Sequence, residues 1–507
     1  MGATSERAAS GRALTVAHAP HACSRSPWQA RHALAERADL DHSAGRMPSS
    51  HAVRRASLLA GIALAVSACS ARERSSTAAA TPALAAPPLI VATSGDYPPF
   101  SFHADDGSLT GFDVEVARAY AQARGREVRF VEFRWPDLGS RLAAGDFDVA
   151  MSGVTVRPER LVVGSFSPVV ARTSAVLVVR RGLTRQSADR RGRRIAVNHG
   201  GHLEQIARAA LTKATIVPVD DNRKLAGLLL RGEVDGVVAD PLELRTAGIN
   251  VARPVVTAGV LSRDRKAYWV GPERQQLADD LRDWLLASEE NGSLAALRLR
   301  YGTELTLGST LAPRSGWVLE LVARRLALMP AVARAKRAAG RPIEDLAREG
   351  AVLERAQADA RRVGVDPQAY AALAKTQIRA AKAVQQATAD GSSPELAIDR
   401  DLRPAIDRLD ADLLAALVRA APITEPADAL AGELRADVEG VPGLDGETLC
   451  AIVEAIRAFP APSTRSASTA LTPTRVSSRA AVLGRSGAWP SSGVREWSSP
   501  DPSAARS

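Results

Sequence analysis

Between Leu89 and residue 303 short apolar runs alternate with amphipathic helical stretches, and from residue 314 onward only the helical period remains. The first stretch reads "LIVATSG", "GFDVEVARAYAQARG", "EVRFVEF", "LGSRLAAGDFDVAMSG". Alternation of this kind requires a largely parallel sheet covered by helices, with ligands at the carboxyl ends of the strands. In the second stretch "VLELVARRLALMPAVARAK" repeats its apolar residues at helical spacing, which buries one face. Further helices begin after Pro342, at Asp366 before Pro367, and in "DLRPAIDRLDADLLAALVRAA" and "GETLCAIVEAIRAF". The expectation is an α/β region over 89–303, a short linker over 304–313, and an all-α helical bundle over 314–458. No internal repeat relates the two.

The flanks differ from these folded regions. "MPSSHAVRRASLLAGIALAVSAC" places Arg54 and Arg55 before a short apolar run and small residues that end at Cys69. The run is too short to span a bilayer, and its flanks fit a signal peptide over 47–69. "VSAC" resembles a bacterial lipobox, which implies lipidation at Cys69; plain cleavage without lipid is the other reading. Either one places the mature chain in the periplasm, with membrane contact only through that lipid. Residues 1–46 read as upstream, disordered sequence, residues 70–88 as a Pro-containing linker, and 459–507 as a disordered Ser/Pro/Thr-rich tail. Of the three cysteines, Cys23 and Cys69 lie before or within the leader, so no disulfide is expected inside the mature chain.

A net charge of +10 invites a nucleic-acid reading, but the cations are not clustered and aromatics are only 4% of the chain. Small anionic ligands account for local cations better. One such place is "VNHGGHLEQIAR" (197–208), a β-rich run followed by two glycines and a helix start. Free N–H groups backed by a helix dipole make an anion-binding turn. Glu204 in its first turn is either an ordinary helix-start acid or a proton donor aimed at the ligand.

"GDYPPFSF" (95–102), "DGSLTGFDVEVA" (106–117), "GDFDVAMSGVTVRPER" (145–160) and "FSP" (166–168) resemble the periplasmic amino-acid-type solute-binding family. The resemblance implies a two-lobed α/β periplasmic-binding-protein fold. One lobe would span 89 to about 178 plus a return segment from about 267 to 303, with the other, about 179 to 266, inserted between. It also implies that Arg160, closing "SGxTxxxER", clamps a ligand carboxylate in the bidentate fork that suits guanidinium, with Ser152 and Thr155 adding hydroxyl donors. Asp240 matches the acid that receives a ligand amino group; a helix N-cap is its other reading.

A narrower resemblance adds "RWPDLGSRLAAGDFDVAMSG", "VNHGGHLEQIARAAL", "DNRKLAGLLLRGEVDGVVADPLELR" and "RKAYWV". Together these look like the periplasmic cyclohexadienyl (prephenate/arogenate) dehydratases. That match places a general acid on Glu204, flanked by Asn198, Gly200 and Gly201, with Trp135 walling the pocket. A carboxylic acid donates a proton at neutral pH only if burial or negative neighbours raise its pKa. A departure stands beside the match: Ala175 occupies the place of a lysine in those dehydratases, while Arg172 retains an arginine.

In the helical region Arg325 and Lys336 are eleven residues apart, Lys336 and Arg348 twelve, and Arg348 and Gln385 thirty-seven. With "PIEDLARE" between, this resembles the AroQ-type chorismate mutases, and helices beyond Gln385 resemble the exported subclass. The resemblance implies that Arg325, Arg348 and Arg403 clamp two substrate carboxylates, that Lys336 and Gln385 donate to the ether oxygen, and that Glu349 binds the ring hydroxyl. Ala381 stands where those mutases carry Ser or Thr. Such a pericyclic step needs a held conformer and charge stabilisation rather than a nucleophile.

A mutase forms prephenate and a dehydratase consumes it, so the expectation is one bifunctional chain handling chorismate, prephenate and arogenate. The competing expectation is a non-catalytic amino-acid-binding module, for transport or sensing, tethered to a mutase. Neither resemblance implies a cofactor, and no metal is implied, because His199 and His202 have no further Cys or His cluster beside them. Exported mutases often pair, which makes a homodimer part of the expectation.

Overall fold

The structure, a computed structural model, describes residues 87–246, 255–302, 305–390 and 396–461. Residues 1–46, the leader with Cys69, and nearly all of the tether and tail lie outside the described residues. Strands β1 (Leu89–Thr93), β2 (Asp96–Tyr97), β3 (Ser101–His103), β4 (Leu109–Thr110), β5 (Val128–Glu132), β6 (Val149–Ala150) and β7 (Ser165–Phe166) come first. Then follow β8 (Ala171–Arg180), β9 (Arg194–Asn198), β10 (Thr215–Val219), β11 (Gly236–Ala239), β12 (Val255–Lys266) and β13 (Trp269–Val270). They form one sheet in the order β5-β1-β6-β13-β7, a second in the order β10-β9-β11-β8-β12, and a small β2-β3-β4 sheet.

Each large sheet is the centre of one lobe. Helix α1 (Phe112–Ala123) packs its Phe112, Val116 and Tyr120 on the first. The second carries α2 (His202–Ala210) and α3 (Pro241–Thr246). Both sheets are mixed rather than parallel throughout, because the chain crosses between lobes twice and each crossing lays a strand against the grain. Thus β13 runs antiparallel to β6 and β7, and β8 antiparallel to β11 and β12. All of β8 belongs to the second lobe, since its residues pair with β11 and β12. That moves the lobe boundary from the expected residue 179 to Ala171.

After α4 (Gln275–Glu290) the remaining long elements are helical: α5 (Pro313–Ala338), α6 (Leu346–Val363), α7 (Pro367–Ala387), α8 (Arg403–Ala420), α9 (Ala427–Asp437) and α10 (Gly446–Arg457). Their starts are written in the sequence. Asp345, Asp366 and Asp445 each accept a backbone N–H of the first turn, at 3.0, 2.9 and 2.7 Å. Pro313 and Pro367 occupy first-turn positions where a missing N–H costs nothing.

Helix α5 is buried on more than one side. Leu319, Val322 and Leu326 serve the bundle, while Trp317 and Leu321 join a core that continues into Leu161, Phe166, Trp269 and Leu286 of the first lobe. Charged groups line this junction. Buried Arg324 donates to the carbonyls of Phe166 (3.0 Å) and Ser167 (2.7 Å), and Glu320 accepts the Val169 N–H at 3.1 Å. Arg172 is paired with Glu433 (2.7 Å) and with buried Asp437, and Arg265 lies 3.6 Å from the same Asp437 carboxylate. Arg172 therefore faces the helical domain, not the cleft in which a dehydratase-like role would have placed it.

Removing a shared buried carboxylate leaves two arginines facing each other in low dielectric. Asp437→Ala is expected to cost about 3–5 kcal/mol, measured as a lowered urea midpoint of the purified chain.

Candidate functional sites

The lobes meet through polar side chains carried on strand ends and loops. On the first-lobe side, Ser152 Oγ accepts the Ser94 N–H (3.1 Å) and shares a hydrogen bond with the Ser94 hydroxyl (2.9 Å). Buried Asp113 accepts the Gly153 N–H at 2.6 Å and so fixes the "SGVT" turn, while burial raises its carboxyl to about 7. Arg160 donates to the Thr155 carbonyl at 2.9 Å and lies over the Trp269 ring at 5.6 Å. Burial pushes its guanidinium down to about 10, so it remains charged at neutral pH, and it pairs with no carboxylate among the described residues. Trp135 packs edge-on against Tyr97 and Phe133.

On the second-lobe side the "NHGG" turn closes against this wall. Gly200 has φ +69°, and a Cβ there would stand 2.3 Å from Pro136. Gly201 lies beside Trp135, with Asn198 Oδ1 so near that a Cβ would meet it at 2.7 Å. Asn198, Gly200, Gly201 and Trp135 therefore come together as the sequence leads one to expect. Asp240 Oδ1 caps α3 by accepting the Leu242 N–H at 2.9 Å, as the N-cap reading has it, and Oδ2 accepts the Tyr97 hydroxyl across the cleft at 3.1 Å.

Between the lobes lies one buried ammonium. Lys266, at the end of β12, donates to Thr155 Oγ1 at 2.9 Å and sits 4.0 Å from Asp240 and 3.6 Å from Asp264. Ala175 by contrast is fully buried among Leu177, Val197 and Leu203 of the second lobe. The cleft's lysine thus comes from β12, a position that the quoted "RKAYWV" contained without marking.

The carboxyls of the cleft are driven in opposite directions. Burial is the largest single influence on Glu204 and raises it, but the Gly200 N–H (2.6 Å) and the Arg208 guanidinium (2.6 and 2.9 Å) together outweigh it and hold the carboxyl below its ordinary value. Both Glu204 oxygens are thus hydrogen-bonded at the helix start, by partners that favour the anion. Glu243, in the first turn of α3, has the opposite setting. It is buried, neither carboxyl oxygen has a hydrogen-bond partner, and burial together with Asp240 and Asp96 pushes its pKa well above the ordinary range. Sequence reading passed over it because "DPLELR" gives Glu243 no distinguishing neighbour; only the fold brings Asp96 and Asp240 beside it.

In the helical domain α5 to α8 gather the spaced cations. Arg325 is buried, donates through Nε to Asp410 at 2.7 Å and leaves one terminal nitrogen unpartnered. Lys336 donates to the Ile343 carbonyl at 2.8 Å; burial lowers its pKa, with Glu349 and Arg403 among the charges it feels. Glu349 receives Lys382 at 3.2 Å on one oxygen and keeps the other buried and unpartnered. Gln385 reaches the Met329 sulfur at 3.6 Å and leaves its carbonyl oxygen unpartnered. Arg348 is partly buried in the first turn of α6, and Arg403 pairs with Asp399. Asp410, Lys382 and Asp399 are the acids and base that spacing alone did not name.

Residues 89–304 match the bacterial extracellular solute-binding proteins, family 3, and residues 317–386 match chorismate mutase type II. The chain therefore carries a solute-binding domain of that family followed by a type II mutase domain. Arg325, Lys336, Arg348, Glu349 and Gln385 fall within the mutase match, whereas Arg403 lies beyond it. A cyclohexadienyl dehydratase of Pseudomonas aeruginosa is 35% identical over 31% of this chain, and the match spans 60% of that relative. The L-cystine-binding protein TcyJ of Escherichia coli is 26% identical over 43% of this chain and 84% of its own length. Among solved structures, an ancestral amino-acid-binding protein described as a precursor of cyclohexadienyl dehydratase is 27% identical, with a TM-score of 0.39, covering 42% of this chain and 94% of that one.

The Gly200 contact gives the cleft a steric test. Gly200→Ala adds a methyl group against Pro136 at a backbone angle that disfavours side chains, so cleft closure and any dependent ligand binding are expected to weaken at least tenfold, a change of about 1.4 kcal/mol. Small-angle X-ray scattering of the purified wild-type and variant chains, which reports the separation of the lobes, measures the closing equilibrium.

Proposed function

We propose that this chain, a family-3 solute-binding domain joined to a chorismate mutase domain, is a bifunctional enzyme converting chorismate through prephenate to phenylpyruvate, with arogenate to phenylalanine as a parallel reaction. The observation that carries the second activity is the buried Glu243 carboxyl, which has no hydrogen-bond partner among the described residues and feels the charges of Asp240, Asp96 and Lys266. Prephenate loses CO₂ and its ring hydroxyl together. The electrons of the breaking carboxyl bond complete the aromatic ring as the C–O bond breaks. Hydroxide leaves poorly; with a proton from Glu243 it leaves as water.

Donation of this kind is typically worth ~10²–10⁴ in rate. Burial and the neighbouring carboxylates favour the protonated form of Glu243, so its proton is lost at higher pH than from an ordinary glutamate, and activity is expected to fall on the alkaline side. Lys266 stands where it stabilises the carboxylate that Glu243 becomes. Arg160, charged and without a carboxylate partner, suits a substrate carboxylate, with Ser152 and Thr155 beside it and Trp135 and the glycine turn excluding water. Asp240 offers an acceptor to the amino group of arogenate.

For the first activity Arg325, Arg348 and Arg403 clamp the chorismate carboxylates, Lys336 and Gln385 donate to the ether oxygen, and Glu349 takes the ring hydroxyl. The buried unpartnered atoms of Arg325, Glu349 and Gln385 support this, because native interiors seldom leave such groups without a ligand or water. The solute-binding family is extracellular by description, and among the described residues no helix is long and apolar enough to cross a membrane; both support a periplasmic site of action, with a lipid on Cys69 as part of the proposal. The second reading, a receptor for an amino acid tethered to a mutase, is favoured by the binding proteins that share the fold.

Glu243→Gln is expected to lower phenylpyruvate formation from prephenate by at least about 100-fold, while Glu204→Gln changes it by a few-fold at most. The reverse pattern would return the acid to Glu204, and tight amino-acid binding without any turnover by the parent chain would establish the receptor. Arg348→Ala should abolish chorismate consumption while leaving prephenate turnover intact; retained chorismate loss defeats the mutase assignment.

A further inference from the structure

His202, the first residue of α2, connects the two lobes. Its Nδ1 lies 2.9 Å from the Arg157 guanidinium, which belongs to the first lobe. Its Nε2 lies 2.8 Å from Asp264 Oδ1, on β12 of the second. A guanidinium can only donate, so Nδ1 must be the acceptor; the proton is then on Nε2 and is donated to the carboxylate. Only the neutral imidazole satisfies both contacts at once. Asp264 in turn accepts the Ser262 hydroxyl at 2.8 Å and lies 3.6 Å from the Lys266 ammonium, which reaches back to Thr155 of the first lobe at 2.9 Å. The circuit Arg157, His202, Asp264, Lys266, Thr155 therefore leaves one lobe, turns at the carboxylate and returns to it.

We propose that His202 is a positioning residue and a pH-sensitive latch: neutral, it ties the lobes together and orients Lys266 through Asp264, and protonated, it releases Arg157 and lets the cleft open. Four charged groups decide its behaviour. Arg157 and Lys266 oppose a proton on the ring, Asp264 favours one, and Glu159, paired with Arg157, moderates the first. Burial is the largest influence and acts with the two cations, so the ring's pKa is lowered in the closed state. The open state, with the ring in water, binds the proton more readily. Closure is therefore fully favoured above the ordinary imidazole range near 6.5 and is lost progressively as pH falls below it. The latch rests on these contacts alone and holds whether or not the cleft turns over prephenate.

Trp135 reports closure because its half-buried indole stands against Gly201 of the opposite lobe. Its emission is isolated as the difference between the full chain and the same chain carrying Trp135→Phe, recorded without ligand from pH 8 to pH 5. The expected result is a step to the red near the imidazole range. His202→Gln keeps one donor and one acceptor but cannot titrate, so its emission should stay at the high-pH value throughout. His202→Ala, checked for folding by circular dichroism, should read red-shifted at every pH, the loss of a charged hydrogen bond shifting the closing equilibrium roughly tenfold. A step that survives in His202→Gln, a wild-type chain without a step, or a folded His202→Ala chain with the wild-type high-pH spectrum overturns the latch. With prephenate as a separate probe, positioning of Lys266 predicts that His202→Gln preserves kcat and KM at neutral pH, whereas His202→Ala raises KM and lowers kcat.

Discussion

Asp437 is the charge on which the arrangement of the molecule turns. One buried carboxylate at the end of α9 answers Arg172 on β8 and Arg265 on β12, the two strands that carry the chain between the lobes. Buried ions are costly to desolvate and are retained only where several partners satisfy them. Here the partners come from parts of the chain more than 150 residues apart, so the cluster forms only if the helical domain docks on the crossover strands. Arg324 and Glu320 repeat the pattern along α5, reading the backbone of residues 166–169 rather than side chains. Nonpolar burial around Trp317 and Phe166 supplies the non-directional attraction; the ions set the register.

The same physics, applied within the cleft, separates carboxyl groups of like chemistry into different tasks. Glu204 and Glu243 both stand in the first turn of a short second-lobe helix. One is solvated by an amide and a guanidinium, which favour its anion; the other is walled from water near two further acids, which favours its protonated form. Asp264 makes a third case, kept well below the usual carboxylate range despite its burial because Lys266, His202 and Ser262 all favour the charge. Environment, not residue type, assigns acid and base here. The lone Lys266 among these acids is what keeps so many carboxyls tolerable in a small buried volume.

The architecture was largely legible in advance. Strand–helix alternation followed by unbroken helical period announced two domains of different class, and the Asp-before-helix and Pro-at-first-turn signals marked the helix starts. The "NHGG" turn was legible as a glycine-led helix start, whereas the contact of Gly200 with Pro136 of the other lobe was not. The mutase cations were named through the resemblance to AroQ-type spacing; helical period by itself relates only Arg325 and Lys336, which share α5, since Arg348 and Arg403 stand on other helices. The lobe boundary was not, since β8 reads as a strand of either sheet until its partners β11 and β12 are known.

By itself, then, the sequence determined the elements, their class and the residues that local geometry demands, because propensity, period and capping act over a few positions. The tertiary structure decided in which direction each acid's pKa is driven, which lysine enters the cleft, and that Arg172 serves the domain junction instead. Those outcomes depend on burial and on charges brought together from distant segments: Asp96 beside Glu243, Arg157 beside His202, Asp437 beside Arg172. Electrostatic free energy is a property of that assembled surrounding, and no single stretch of the chain contains it.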